Sequence, residues 1–258
     1  MKTGEESKHD EIQTNQKVHV CGSNAVSFLL SKLRDNQTSQ GKFVFYANRL
    51  MRILAEEGIS YLPRNVVEIQ TPTGSTIEGV EINEESVCAV SIIRSGDTLL
   101  NSVQECIPFV KVGKILIQRD EESSDKKAVL YYKKLPSGIA SMQVLLCDPM
   151  LATGGSALKA IEVLVEAGVL PENIIFILVI ACPEGISAIA NQYPGWWGYM
   201  MSMKRGICTK SLLYTRGIDL IVRDITIVAG VIDSGLNDSK YIVPGLGDYG
   251  DRFFGTVS

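Results

Sequence analysis

Five short runs of the chain are apolar at nearly every position: VCAVSII (87–93), KILIQ (114–118), QVLLC (143–147), IIFILVIA (174–181) and ITIVAGVI (225–232). A strand with one wet face alternates apolar and polar side chains, whereas a strand covered on both faces has no reason to. Between these runs, residues 98–106, 156–167 and 185–192 carry apolar side chains at helical spacing. Strands of the first kind alternating with helices predict an α/β fold, a doubly wound, mostly parallel sheet with helices on both faces. Ligands of such sheets sit in a crevice beyond the carboxyl ends of the strands, so the loops that follow each run are the ones to inspect. A length of 258 residues suits one large domain or two small ones, and 45% hydrophobic residues are enough for a sizeable core.

The flanking regions read differently. Residues 1–20 are polar and without periodicity, which predicts a disordered tail, with 21–258 forming the folded unit. Residues 24–34 and 43–57 predict two packing helices, the second with Phe43, Tyr46, Leu50, Ile53 and Leu54 on one face. VLYYKKL (129–135) follows a highly charged stretch and ends at Pro136, and is expected to be an extended arm outside the core sheet.

Several function classes fall away. The only histidines, His9 and His19, lie in the polar leader, which argues against a histidine-based triad, zinc site or acid–base pair. With 25 basic and 29 acidic residues, net −4, the chain has no overall electrostatic reason to bind nucleic acid or an anionic membrane. Its longest apolar stretch, 174–182, is far short of the ~20 residues that span a bilayer. The leader lacks the apolar run of a secretory signal, and six scattered cysteines without a CxxC pair read as reduced thiols, so a cytoplasmic location is expected.

Four loops could carry chemistry. In VLLCDPMLATGGSALKAIEVL (144–164) a strand ends at Asp148, and Thr153, Gly154, Gly155 and Ser156 lie where a helix begins. Free amides and the helix dipole favour an anion there, and glycines let backbone approach a phosphate. Asp148, just ahead, can accept hydrogen bonds from sugar hydroxyls. The plainer alternative is a strand–turn–helix with Thr153 as N-cap. Arg94, Ser95 and Gly96 follow another strand run, where amides and one guanidinium could hold a diphosphate; alone, Arg94 reads equally as a surface charge. Arg119, in ILIQRDE, could equally pair with Asp120 or Glu121. YIVPGLGDYGDRFFGT (241–256) is a glycine-rich segment with little side chain to offer.

These segments resemble the uracil phosphoribosyltransferases, type I phosphoribosyltransferases, as do FVFYANRLMRIL, YKKLP and IEVLVEAGV, in the order that family has them. Most type I members carry two adjacent acids before the glycines; here the second place is Pro149, and DPMLATGGS looks like the uracil-specific form. The resemblance implies the type I fold with a C-terminal hood over the base, and transfer of a phosphoribosyl group from 5-phosphoribosyl 1-diphosphate (PRPP) to uracil. It implies PRPP contacts from Arg94, Arg119, Asp148, Pro149, Met150, Leu151, Ala152, Thr153, Gly154, Gly155, Ser156 and Asp248, with Asp148, Arg94, Arg119 and Asp248 in catalytic roles. Ile242, Gly247, Asp248 and Tyr249 would contact uracil, reading its acceptor–donor–acceptor edge with main-chain groups. Mg²⁺ would arrive bound to PRPP, with no metal held by protein side chains alone. A homodimer or homotetramer is implied. A GTP effector is left open, since the region that would bind it diverges apart from Arg34 and Asp35.

Residues 195–223 (GWWGYMMSMKRGICTKSLLYTRGIDLIVR) match nothing in that pattern and read as an insertion between a helix and the next strand, on the side opposite the crevice. A competing reading is a non-catalytic, phosphoribosyltransferase-like regulator that binds nucleotide or RNA. It would be expected to show a basic face and a degraded substrate loop, unlike net −4 and an intact PGLGDYGDR. A purine or orotate phosphoribosyltransferase would be expected to keep the acidic pair that Pro149 interrupts.

Overall fold

A computed structural model describes residues 18–119, 128–193 and 225–256. The main sheet has the order β1 (Val18–Val20), β10 (Thr226–Ile232), β9 (Ile174–Ala181), β7 (Gln143–Cys147), β4 (Val87–Ile93), β5 (Lys111–Arg119), β6 (Ala128–Lys134), and a short β8 (Met150–Leu151) also pairs with β9. Every pairing is parallel except β5 with β6.

The continuous apolar runs have a direct cause. In β9, Ile175, Ile177 and Val179 face one layer of side chains, while Ile174, Phe176 and Leu178 face the other. Successive strand residues point to opposite faces, so a strand sandwiched between two helical layers must be apolar at every step. The first layer is α1 (Asn24–Arg34), α2 (Gln40–Ser60) and α3 (Gly96–Cys106); the second is α4 (Gly155–Glu166) and α5 (Pro183–Gln192). In α1, Val26, Leu29, Leu30 and Leu33 are buried at i, i+3, i+4, i+7 spacing, and the Ser23 side chain caps it by accepting from the Val26 amide. In α2, Phe43, Leu50 and Leu54 of the expected face are fully buried, and Tyr46 and Ile53 pack at its margin.

The structure differs from expectation in three places. Val18–Val20, expected within the tail, pair with Ile227–Ala229 as an edge strand; residues 1–17 lie outside the described residues. VLYYKKL is no arm but the core of β6, hydrogen-bonded to β5 as an antiparallel edge strand, and its exposed tyrosines Tyr131 and Tyr132 reflect that position. A hairpin, β2 (Arg64–Gln70) and β3 (Thr76–Ile82), was not expected at all. Val66 and Val80 are paired and both exposed, so no buried face imposed a readable alternation; the turn signal was TPTGS, where Gly74 takes φ +83.

The insertion at 195–223 lies outside the described residues, but its flanks are placed. It leaves after α5 and returns at β10, whose Thr226 pairs with Ile175 near the start of β9. That junction is at the amino edge of the sheet. No helix among the described residues is long and apolar enough to cross a membrane.

Candidate active site

Strands β4, β7, β9 and β10 end at one edge, and the loops singled out from sequence leave from there. After Cys147 the chain passes through Asp148 and then binds along β9: the Pro149 carbonyl accepts from Val179 N at 2.9 Å and Ile180 N at 3.1 Å, and the Leu151 carbonyl accepts from Cys182 N at 3.1 Å. Pro149 to Ala152 are thereby stitched to the sheet, and the turn that follows starts from a fixed base. α4 is capped by Gly154 in the left-handed region (φ +83), not by Thr153, and no side chain caps its amides. A Cβ on Gly154 would lie 2.9 Å from Ala188 Cβ and 3.2 Å from the Gly185 carbonyl, so both conformation and space require glycine. The first-turn amides beside Thr153–Ser156 therefore have no side-chain cap and are free to donate to a ligand.

Asp148 is half-buried as a residue, with its carboxyl surrounded by protein; burial pushes that carboxyl up to about 7, against a lowering hydrogen bond from the Met150 backbone. A carboxylate so placed gains most from hydroxyl donors or a cation brought by a ligand. Cys182 lies beneath the turn, its thiol directed at the Ala152 carbonyl at 3.1 Å, and burial pushes it up to about 11. It stays protonated at neutral pH and is no thiolate nucleophile.

The second loop meets this floor directly. A Cβ on Gly96 would lie 2.2 Å from the Cys147 carbonyl, so only glycine lets α3 begin there. The Ile93–Arg94 peptide is cis. The Arg94 guanidinium donates to Asp251 Oδ1 at 3.1 Å and Thr256 Oγ1 at 3.3 Å and lies 5.0 Å from the Phe254 ring centroid. The Thr256 hydroxyl and Arg94 together hold the Asp251 carboxyl below its ordinary range. With both side chains about half exposed, solvent screens this pair, so a polyanion can compete for the guanidinium. Arg119 closes β5, its backbone paired with Ala128, and its side chain lies outside the described residues.

The C-terminal segment folds over these loops. β11 (Gly235–Leu236) and β12 (Ile242–Val243) form a small ribbon, the Val243–Pro244 peptide is cis, and α6 (Tyr249–Phe254) follows. Gly245 and Gly247 have φ +60 and +82. Asp248 caps α6 by accepting from Asp251 N at 2.9 Å. A Cβ on Gly250 would lie 2.7 Å from Ser95 Oγ and 3.1 Å from Arg94 Nη2, which puts the hood against the Arg94 loop. Ile242 is buried in β12. Tyr249 is only 1% exposed, its ring 5.6 Å from Phe43 and 5.7 Å from Phe253, and its hydroxyl donates to Thr98 Oγ1 at 3.1 Å. Its side chain is a core anchor, which leaves its main chain to face a ligand. Tyr249→Phe is therefore expected to cost about 0.5–1.5 kcal/mol in denaturant unfolding.

Sequence reading overlooked Asp251, Thr256 and Asp233, and named Arg34 only in connection with an effector. Asp251 is the second acid of GDYGD, and its spacing of three from Asp248 was the available signal.

The model of a family described as uracil phosphoribosyltransferase matches residues 20–219 and 214–256. The chain belongs to the uracil phosphoribosyltransferase family. The two matched segments overlap at residues 214–219 and together span 20–256. A uracil phosphoribosyltransferase of Dictyostelium discoideum is 42% identical over 228 residues, covering 88% of this chain and 91% of that protein. Uracil phosphoribosyltransferase 1 of Schizosaccharomyces pombe is 41% identical, covering 91% and 92%. Among solved structures, the AQ2163 protein from Aquifex aeolicus superposes with a TM-score of 0.71 at 26% identity, covering 92% of this chain and 97% of that one.

Proposed function

We propose that the protein is a uracil phosphoribosyltransferase of pyrimidine salvage, joining uracil to PRPP to give UMP and diphosphate. The observation that carries this is the meeting, at one sheet edge, of an uncapped helix N-terminus, a buried carboxyl with a raised pKa, an arginine loop and a glycine-rich hood. The amides and hydroxyls of Thr153–Ser156 hold the 5′-phosphate. Asp148 accepts from the ribose hydroxyls. Arg94, with Arg119, holds the diphosphate. The hood presents the main chain of Ile242 and Gly247–Tyr249 to the uracil edge, where a cytosine amino group would oppose a donor and leave polar groups unpaired. No protein nucleophile is needed: as diphosphate leaves C1 of the ribose, positive charge develops there, uracil N1 attacks and gives up its proton, with Asp248 beside the base to help remove it. These residues position both substrates, exclude water and stabilise the leaving charge.

Phosphoribosyltransferases generally take PRPP with Mg²⁺. No group of three or more His, Cys, Asp or Glu side chains that could hold a metal occurs among the described residues, and Asp148 has the Met150 backbone as its hydrogen-bond partner. Asp148 is the residue that would stand beside such an ion, which would neutralise diphosphate charge when bound with the substrate. The reading includes a homodimer or homotetramer, with a cytoplasmic location supported by the five cysteines that are free among the described residues. A GTP effector stays an open part of the reading, with Arg34 in this structure bonded to Asp233.

The test is nucleotide formation from PRPP with uracil, cytosine, orotate and hypoxanthine. UMP alone is expected; a purine or orotate product would overturn the assignment. Because the insertion joins α5 to β10 at the amino edge, deleting 195–223 is expected to keep uracil turnover within about threefold, since lengthening or shortening surface connections is mild. A soluble, folded deletion variant without activity would contradict that placement.

A further inference from the structure

We infer that Arg34 and Asp233 are positioning residues that set uracil affinity by fixing the backbone of the hood, without touching the base. The inference rests on the proposed function. Asp233 ends β10 and is 4% exposed, while Arg34 ends α1, so the two meet across 199 positions of sequence. Their contact is a fork: Arg34 Nη1 to Asp233 Oδ2 at 2.8 Å and Nη2 to Oδ1 at 2.6 Å. Both partners then reach the main chain of a single residue. Gly245 N donates to Asp233 Oδ2 at 2.8 Å, and the Gly245 carbonyl accepts from Arg34 Nη1 at 2.8 Å. That residue sits at φ +60, and a Cβ there would come within 2.0 Å of the Ile242 carbonyl, the strand residue expected to face uracil.

The next residue is held from the other side. Arg252 Nη1 donates to the Leu246 carbonyl at 2.7 Å and to the Leu33 carbonyl, Nη2 donates to the Asp35 carbonyl at 2.8 Å, and the guanidinium lies 4.4 Å from the Phe43 centroid. Residues 245 and 246 are thus fastened to the end of α1 immediately before Gly247–Tyr249.

A buried ion pair is a weak source of stability, since a well-packed apolar pair does as well. What it supplies that an apolar pair cannot is direction, as a planar fork fixes both partners and whatever else they bond. Main-chain groups that read a base are only as selective as their placement, and a displacement near 1 Å costs on the order of 100-fold. The pair therefore acts on the base site through Gly245 and leaves the phosphate cradle, which belongs to β7 and α4, alone.

The test is steady-state kinetics on Arg34→Gln, Arg34→Lys, Asp233→Asn and the Arg34→Gln/Asp233→Asn double variant, with a thermal melt of each. In Arg34→Gln and Asp233→Asn, KM for uracil is expected to rise at least 10-fold while KM for PRPP stays within threefold. Arg34→Lys, which keeps charge but loses the fork, should fall between, and the double variant should be no worse than the worse single one. A merely structural pair would lower the melting temperature and leave both KM values alone. That result in the soluble Arg34→Lys and Asp233→Asn proteins would overturn the positioning role, as would equal rises in both KM values. Failure of the unmodified protein to form UMP would instead overturn the function on which the role rests.

Discussion

Gly247→Val is expected to abolish uracil turnover, by at least roughly 1,000-fold, while PRPP binding measured by calorimetry stays within a few-fold. Gly247 has φ +82, a region that a β-branched residue occupies only at a cost of about 1–3 kcal/mol. Space is not the obstacle, because the nearest atom to an added Cβ is Arg252 Cδ at 3.6 Å, an ordinary contact. The substitution therefore acts through the backbone path. The chain relieves strain by rotating the Gly247–Asp248 main chain, which is part of the segment proposed to meet uracil. Gly245 and Leu246, held by Arg34, Asp233 and Arg252, confine the rotation to the following residues, where the base would sit. The phosphate cradle belongs to a different strand–helix unit and keeps its geometry. Normal uracil turnover in this variant would mean that side chains, not the main chain, read the base.

Sequence revealed the central sheet because a strand covered twice has to be apolar throughout, and the runs at 87–93, 143–147 and 174–181 record that requirement directly. It revealed less wherever burial on one face, or on none, relaxed the requirement. β6 reads as an arm because only one neighbour holds it, and the β2–β3 hairpin carries exposed valines on a ribbon with no core to face. The phosphate turn was legible as a motif, yet its cap is Gly154 and not Thr153, because Ala188 and Gly185 of α5 crowd the turn from outside the motif. Tyr249 shows the same limit from the other side. It stands in the segment expected to meet the base, but its ring turns into the gap between Phe43 and Phe253, which no local pattern announces. The Arg34–Asp233 pair was invisible for the simplest reason: a partner 199 positions away leaves no local signal.

Asp148→Asn is expected to lower kcat/KM for PRPP about 10- to 100-fold, and at the same time to raise the stability of the ligand-free protein above pH 7. The loss follows from removing a charge-assisted hydrogen bond to the ribose, worth roughly 1.5–3 kcal/mol. The gain follows from linkage. In the unfolded chain the carboxyl titrates at its ordinary value of 3.8; in the folded protein burial raises it to about 7. Between those values the folded state holds a proton that the unfolded state has released, so stability falls as pH rises from about 4 to about 7 and is flat beyond. The cost at pH 8 is on the order of 2–4 kcal/mol, the lower end reflecting the part of the residue still in contact with water. Asparagine has the same shape and no proton to lose, so its melting temperature should exceed that of the unmodified protein at pH 8 and match it near pH 4. PRPP with Mg²⁺ should erase the difference, because hydroxyl donors and a cation favour the ionised form. A carboxylate kept only for stability would behave the opposite way, weakening the protein when replaced. Equal melting curves at pH 8 with normal PRPP kinetics would show that Asp148 neither bears a burial cost nor meets the ribose.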